Sequence, residues 1–257
     1  MPTWDPDIYG RYKVYRDRPA LDLLLQVPGD LAPQEIWDLG CGPGEHAALL
    51  AARHPEARVR GLDSSPAMLD RARQRKTRAE WIEGDIAAFQ PDAPVDLLFT
   101  NAALQWLDGH DVLFPRLAGM LAPGGVLACQ MPKGQDQAWH EMLGGLAQSP
   151  AWRARLGELR GVLPVAEPAA YFDWLSPICG EVDIWTTTYL HVLEGDDPVV
   201  DWMSGTALRP YLDRLADAVE REAFLADLRA RLVQALPPRE DGLTLLPFPR
   251  LFIVARR

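Results

Sequence analysis

The segment Asp38-Leu39-Gly40-Cys41-Gly42-Pro43-Gly44 constrains this chain more than any other. It follows EIWDLG (35–40), which reads as a buried strand, and opens GEHAALLAARHP (44–55), which reads as a helix ended by Pro55. Glycine carries no Cβ, so three glycines in five residues let the backbone turn sharply and come close to a ligand. The same alternation continues. ARVRGLDSSP (57–66) reads as a second strand and turn, and PAMLDRARQRK (66–76) as a helix with Pro66 at its first position, where no N–H is needed. AEWIEGD (79–85), VDLLFTNAAL (95–104) and GVLACQMP (125–132) read as three more strands, and DVLFPRLAGMLAPGG (111–125) as a helix stopped by Pro123-Gly124-Gly125. Strands alternating with helices of this length imply parallel βαβ units. Segments as apolar as VDLLFT are expected where helices cover both faces of the sheet. The expected fold is therefore α/β, a doubly wound, mostly parallel sheet.

The pattern changes after residue 132. Residues 135–175 read as helical, with Trp139, Trp152, Tyr171, Phe172 and Trp174 as anchors. GEVDIWTTTYLHVL (180–193) and RLFIVARR (250–257) read as strands, and 197–215 and 221–236 as helices. Three segments are expected: an N-terminal helical cap (1–30) around ALDLLLQV, a cofactor-binding core (31–134), and a helical substrate lid with the last two strands (135–257).

Of the 257 residues 48% are hydrophobic, enough for a sizeable core. The formal net charge is -10, with no basic block. Nucleic-acid binding draws on clustered Lys and Arg, so a nucleic-acid partner is not expected. No apolar run approaches the ~20 residues of a membrane span, and the first twenty residues lack an apolar signal core, so no membrane partner is expected either. Cys41, Cys129 and Cys179 are far apart, with no CxxC or Cys/His spacing. No metal is expected, and a reduced, cytoplasmic setting fits.

The glycine turn does not suit a phosphate. A dinucleotide fingerprint needs its third glycine at position 45, where this chain has Glu45, and a carboxylate at a helix N-terminus repels a pyrophosphate. Asp38, just before the glycines, can meet a positively charged group instead. Asp63 ends the second strand, where an acid can accept ribose hydroxyls. Asp85 ends the third, either as a further ligand group or as a helix N-cap. Three acids at the carboxyl ends of successive strands line one crevice, the usual ligand edge of an open α/β sheet.

In that order, DLGCGPG, LDSSPAML, EGDI, NAALQWL and LAPGGVL resemble the motifs of class I S-adenosylmethionine-dependent methyltransferases over residues 35–131. The resemblance implies a seven-stranded Rossmann-like sheet whose last strand is antiparallel, with 180–193 and 250–257 as the last two strands. It implies S-adenosyl-L-methionine as cofactor and S-adenosyl-L-homocysteine as product. Carried over by residue, Asp38, Gly40 and Gly42 face the methionine part and Asp63 holds the ribose, with Ser64 and Met68 as further cofactor-binding residues. Asp85 and Ile86 border the adenine, and Asn101, Ala102, Gln105 and Trp106 lie near the sulfonium.

TWDPDIY, GEVDIWTTTY, LRPYL and FPRLFIVARR extend the likeness to the bacterial branch that methylates a carboxylate oxygen of trans-aconitate. That implies a small polycarboxylate as partner. Its cations would come from Arg209, Arg250 and Arg18, with Tyr211 and His191 adding hydrogen bonds. Another small acid, a phenol, and non-catalytic binding of the cofactor remain competing readings. His46, His54, His110 and His140 read as surface or packing residues.

Overall fold

The computed structural model describes residues 13–135, 137–159, 165–204 and 207–257. The TWDPDIY segment lies outside them. Seven strands form one sheet: β1 (Glu35–Leu39), β2 (Arg58–Asp63), β3 (Glu80–Glu83), β4 (Val95–Asn101), β5 (Leu121–Pro132), β6 (Glu181–Leu193) and β7 (Thr244–Arg256). Their order is β3-β2-β1-β4-β5-β7-β6. Pairing is parallel from β3 to β5, and β7 runs antiparallel to β5. The helices are α1 (Lys13–Gln26), α2 (Glu45–Arg53), α3 (Pro66–Arg73), α4 (His110–Gly119), α5 (Ala138–Ala147), α6 (Arg153–Leu156), α7 (Pro168–Leu175), α8 (Pro198–Ser204), α9 (Arg209–Leu212) and α10 (Ala218–Ala235). Among the described residues no helix is long and apolar enough to cross a membrane.

Two compact units interleave along the chain. One holds Arg18–Pro132, Val165–Thr187 and Arg250–Arg257; the other holds the described parts of Met1–Asp17, Lys133–Pro164 and Thr188–Pro249. This differs from three consecutive segments. Most of α1, all of α7 and the first half of β6 belong with the sheet, and β6 and β7 each run on into the second unit.

The register of the sheet fixes what each face presents. Trp37 pairs with Leu98, Leu98 with Leu127, and Leu127 with Ala255. Side chains alternate along a strand, so Trp37, Leu39, Leu98, Leu127, Cys129, Met131, Leu251 and Ile253 share one face. These residues form one core with Phe114 and Leu117 of α4 and Tyr171 and Leu175 of α7. The opposite face carries Asp38, Phe99, Asn101, Gln130, Arg250 and Phe252. The second unit has its own core, built from Trp139, Leu143, Trp202, Tyr211, Phe224, Leu228 and Phe248. The three described cysteines are buried and free.

At the amino edge of the sheet, Arg60 is buried. It bonds Glu35 at 2.6 Å and Asp92 at 2.9 Å and lies 4.2 Å from the Trp37 ring centre.

Candidate functional site

The glycine loop joins β1 to α2, and its three glycines serve three different needs. Gly40 has φ +73°, and a Cβ there would come within 2.3 Å of the Ala103 Cβ. It is bare so that the turn after β4 can pack against the turn after β1. Gly44 has φ +78°, and a Cβ there would come within 2.3 Å of the Trp81 ring. Gly42 has φ +52°, and a Cβ there would meet nothing within 4 Å. Only Gly42 faces open space, so it is the glycine that leaves room for a ligand. Gly44→Ala should therefore unfold or strongly destabilise the chain, by about 3 kcal/mol or more from overpacking and strain. Gly42→Ala should cost only about 1–2 kcal/mol of stability from the left-handed backbone but weaken cofactor binding at least tenfold. Chemical denaturation and calorimetry on both variants check this contrast; equal losses of stability would refute it.

The three acids sit at the carboxyl ends of adjacent strands, β1, β2 and β3, and their burial is graded. Asp38 is 1% exposed. Asp63 is half-buried and Asp85 exposed. Asp63 shapes the loop: its Oδ2 accepts the Gly42 N–H at 2.8 Å and its Oδ1 accepts the Ser65 N–H at 2.8 Å. Each carboxylate oxygen retains acceptor capacity beyond one hydrogen bond. Asp85 accepts the Ala87 N–H at 2.8 Å and caps the short turn Ile86–Ala88, so its N-cap reading is realised. Ser64 is exposed beside Asp63, and Met68 is buried in α3, its N–H donating to Ser65 Oγ. The Ile86 Cδ1 lies 3.5 Å from where a Gly40 Cβ would be, placing Ile86 against the glycine loop.

Asp38 carries the site's strongest perturbation. Burial, with a smaller push from the Asp63 charge, raises its carboxyl to about 7, against the lowering effect of a hydrogen bond from the Ala47 backbone in the first turn of α2. Its Oδ2 has no hydrogen-bond partner among the described residues. Neither do the buried Oδ1 of Asn101 and Oε1 of Gln105. Buried polar atoms are nearly always paired, so a cluster of lone acceptors marks a place for a donor or a cation. An ammonium and a sulfonium fit this set, and a pyrophosphate does not.

The turn after β4 is held in an unusual shape. Ala102 is the sole non-glycine with positive φ (54°) among the described residues. Its N–H donates to the Gln130 carbonyl at 2.9 Å, and its carbonyl accepts from Gln105 Nε2 at 2.6 Å. Such strain persists where the surroundings enforce it, and it concentrates at functional sites. Trp106 is half-buried in the same turn.

A family profile described as a methyltransferase domain matches residues 36–125. The trans-aconitate 2-methyltransferase of Azoarcus sp. (strain BH72) is 47% identical over 258 residues, covering all of both chains. The enzyme of the same name from Methylobacterium nodulans is 48% identical, covering 100% of this chain and 99% of that one. This chain belongs to the trans-aconitate 2-methyltransferase family. The fold is shared more widely than the sequence. The YcgJ protein of Bacillus subtilis superposes with a TM-score of 0.60 at 13% identity, covering 93% of this chain and 98% of its own. Phosphoethanolamine N-methyltransferase 2 of Haemonchus contortus, solved with S-adenosyl-L-methionine, gives 0.55 at 17% identity, covering 93% of this chain and 52% of its own.

The expected substrate residues divide between the two units, and each is described within its own. Arg250 is buried in the sheet unit, its Nη1 3.5 Å from Gln130 Oε1. Arg18 is exposed on α1, 3.8 Å from Asp22 one turn away. His191 is packed in the second unit, stacked on Tyr15 and Phe248 at 4.5 and 5.2 Å with Trp202 edge-on at 4.4 Å. Tyr211 is buried in that unit's core beside Phe224, and burial raises its phenol. Both rings sit among aromatic neighbours. Arg209, half-buried, opens α9 in the same unit.

The repulsion expected of Glu45 is also softened. Arg75 lies 2.9 Å from its carboxylate and donates to the Pro43 carbonyl. Sequence reasoning missed Arg75, Trp81, Ala103 and Gln130. Each acts through a partner remote in sequence, and only Trp81, an aromatic facing two glycines across the sheet, left any trace.

Proposed function

We propose that this chain transfers a methyl group from S-adenosyl-L-methionine to a carboxylate oxygen of trans-aconitate. One observation carries the reading: the polar atoms on the ligand face of the sheet are sorted by sign. Asp38, on β1, is a lone acceptor, as are Asn101 on β4 and Gln105 just after it. Across the sheet on β5 and β7 stand donors, the Gln130 Nε2, which has no partner among the described residues, and the buried Arg250 guanidinium. Three strand spacings, about 14 Å, separate β1 from β7. β7 is antiparallel, so its beginning lies at the carboxyl edge of β5, where Pro132 pairs with Arg250. A cationic cofactor suits the first end and an anionic acceptor the second.

The residues that hold the cofactor would be Asp38 for the ammonium, Asp63 for the ribose, and Ile86 for the base, with Gly42 leaving room. When bound, S-adenosyl-L-methionine supplies a methyl group that the acceptor's oxygen takes up, leaving S-adenosyl-L-homocysteine and the methyl ester. The chain's own work is positioning. A carboxylate is ionised near pH 7, so no residue has to remove a proton. Gln130 and Arg250 fix the acceptor oxygens, and the strained Ala102 turn sets Gln105 and Trp106 beside them. Alignment of this kind lowers a barrier by as much as roughly 7–11 kcal/mol. A phenol, with a pKa near ~10, needs a base, and Gln130 and Arg250 are donors that take no proton. Among the charged residues of the sheet unit, Arg250 is the one to which the reading gives the carboxylate-binding role.

The test is direct. Purified protein with S-adenosyl-L-methionine and trans-aconitate should give a product one methylene heavier, sensitive to mild alkali as an ester is, with stoichiometric S-adenosyl-L-homocysteine. A saturated tricarboxylate and a phenol serve as competing acceptors. Faster turnover of the phenol, or no S-adenosyl-L-homocysteine with any acceptor, would overturn the reading.

A further inference from the structure

We propose that His110 is a positioning residue that holds the Leu104–Trp106 turn at the acceptor site. The inference rests on the reading above for the role of that turn, and on the following geometry for the role of His110. The imidazole, on the first residue of α4, is engaged at both nitrogens. Nε2 lies 2.9 Å from the Leu104 carbonyl oxygen, and Nδ1 lies 2.6 Å from the Tyr171 hydroxyl. A carbonyl can only accept, so Nε2 carries a proton. In the neutral ring Nδ1 is then the acceptor, and the Tyr171 hydroxyl donates to it. The Ala166 N–H in turn donates to the Tyr171 oxygen at 3.3 Å. The donors thus run in one direction, from the Ala166 backbone through Tyr171 and His110 to Leu104.

The far end of the chain is anchored. Tyr171 is fully buried, its ring 4.7 Å from Phe114 and 5.0 Å from Trp174. The Tyr171 hydroxyl therefore has little freedom, and neither does the imidazole that it meets. The near end is the turn whose shape the site needs. Leu104 O also accepts the Leu107 N–H at 3.0 Å, Gln105 Nε2 closes back on Ala102 O, and Ala102 holds its positive φ. A turn with a strained residue relaxes unless something outside it holds it. The Gln130 carbonyl holds the strained end through the Ala102 N–H, and His110 holds the Leu104 end, reaching over from the helix that follows. It touches neither of the expected ligand groups and acts through Leu104.

Three variants separate positioning from packing. Asn places an amide where Nδ1 stands and cannot reach Leu104; Gln places one where Nε2 stands and can donate to it. His110→Asn should lower kcat with trans-aconitate at least about tenfold, while His110→Gln should retain activity within about threefold. Tyr171→Phe, which removes only the hydroxyl, should fall between them. Thermal unfolding of each variant shows whether the fold persists. Amide hydrogen exchange over residues 102–107 gives a readout that needs no acceptor: it should quicken in His110→Asn and stay near wild type in His110→Gln. Equal exchange in the two variants would overturn the proposal whatever the substrate. If the wild type fails to methylate any acid yet exchange separates Asn from Gln, the positioning role stands and the functional reading falls.

Discussion

Asp38→Asn should leave the empty protein more stable and bind S-adenosyl-L-methionine at least a hundredfold more weakly. Raising a carboxyl from 3.8 to about 7 means that its charged form costs roughly 4 kcal/mol in the folded, empty protein. The sign follows from the direction of the shift. With the folded value above the unfolded one, the full stability is present below pH 3.8 and is lost as pH rises through about 7. An amide has no proton to lose, so the variant should escape that decline, and its thermal midpoint above pH 7 should exceed the wild type's. Binding runs the other way. A cation against Asp38 Oδ2 restores the charged form, and removing one member of a buried pair costs about 3–5 kcal/mol. Wild-type affinity should also weaken about tenfold for each pH unit below 7, because the carboxyl must release its proton as the cofactor enters. In the variant this dependence should vanish. Calorimetry from pH 5.5 to 8, in buffers of different ionisation enthalpy, measures both affinity and proton release. A variant with wild-type affinity, or wild-type binding without proton release at pH 6, would show that the ammonium is held elsewhere.

The parts of the fold set by local periodicity were legible in the sequence; the parts set by remote partners were not. β1 to β4 appear where their apolar runs lie; Asp63 ends β2 as expected, Asp38 is the last residue but one of β1, and Asp85 lies two residues beyond the end of β3, where it caps the next turn. β5 starts four residues before its expected beginning, since Leu121 already pairs with Val95 and the Pro123-Gly124-Gly125 stop is taken up as an irregularity within the strand pair. β7 begins at Thr244, not 250, despite two prolines that suggest a loop. The helix expected over 197–215 is realised as two, Pro198–Ser204 and Arg209–Leu212.

For the site, a glycine pattern announces a turn but not which glycine faces the ligand. That depends on where Trp81 and Ala103 arrive from other strands. The burial of Asp38, and therefore its chemistry, is a tertiary property that no local motif encodes. His191 and Tyr211 illustrate the converse. They carry hydrogen-bonding groups within family motifs, and nothing local to either motif announces the aromatic rings packed against them.

Arg250→Met should raise the KM for trans-aconitate at least a hundredfold with the cofactor's Kd unchanged within about threefold. Arg250 is 4% exposed and stands on the same sheet face as Gln130, in a protein whose net charge of -10 repels an anion at long range. Attraction must therefore be local, and a buried guanidinium offers it through two parallel N–H bonds to one carboxylate. Loss of one partner from such a pair typically costs about 3–5 kcal/mol, more than a hundredfold in binding. Methionine fills much of the same volume without charge, and thermal unfolding of the empty variant separates any cost to the fold from the cost to substrate binding. Arg250→Lys keeps the charge but not the planar fork, and its KM should lie between the two. The diester of the acceptor, with most of its charge removed, gives a second reading. Wild type should bind it far more weakly than the free acid, and Arg250→Met should scarcely distinguish them. A methionine variant that keeps both the wild-type KM and the preference for the free acid would place the carboxylate-binding group elsewhere, and the sorting of donors and acceptors across this sheet would lose its functional meaning.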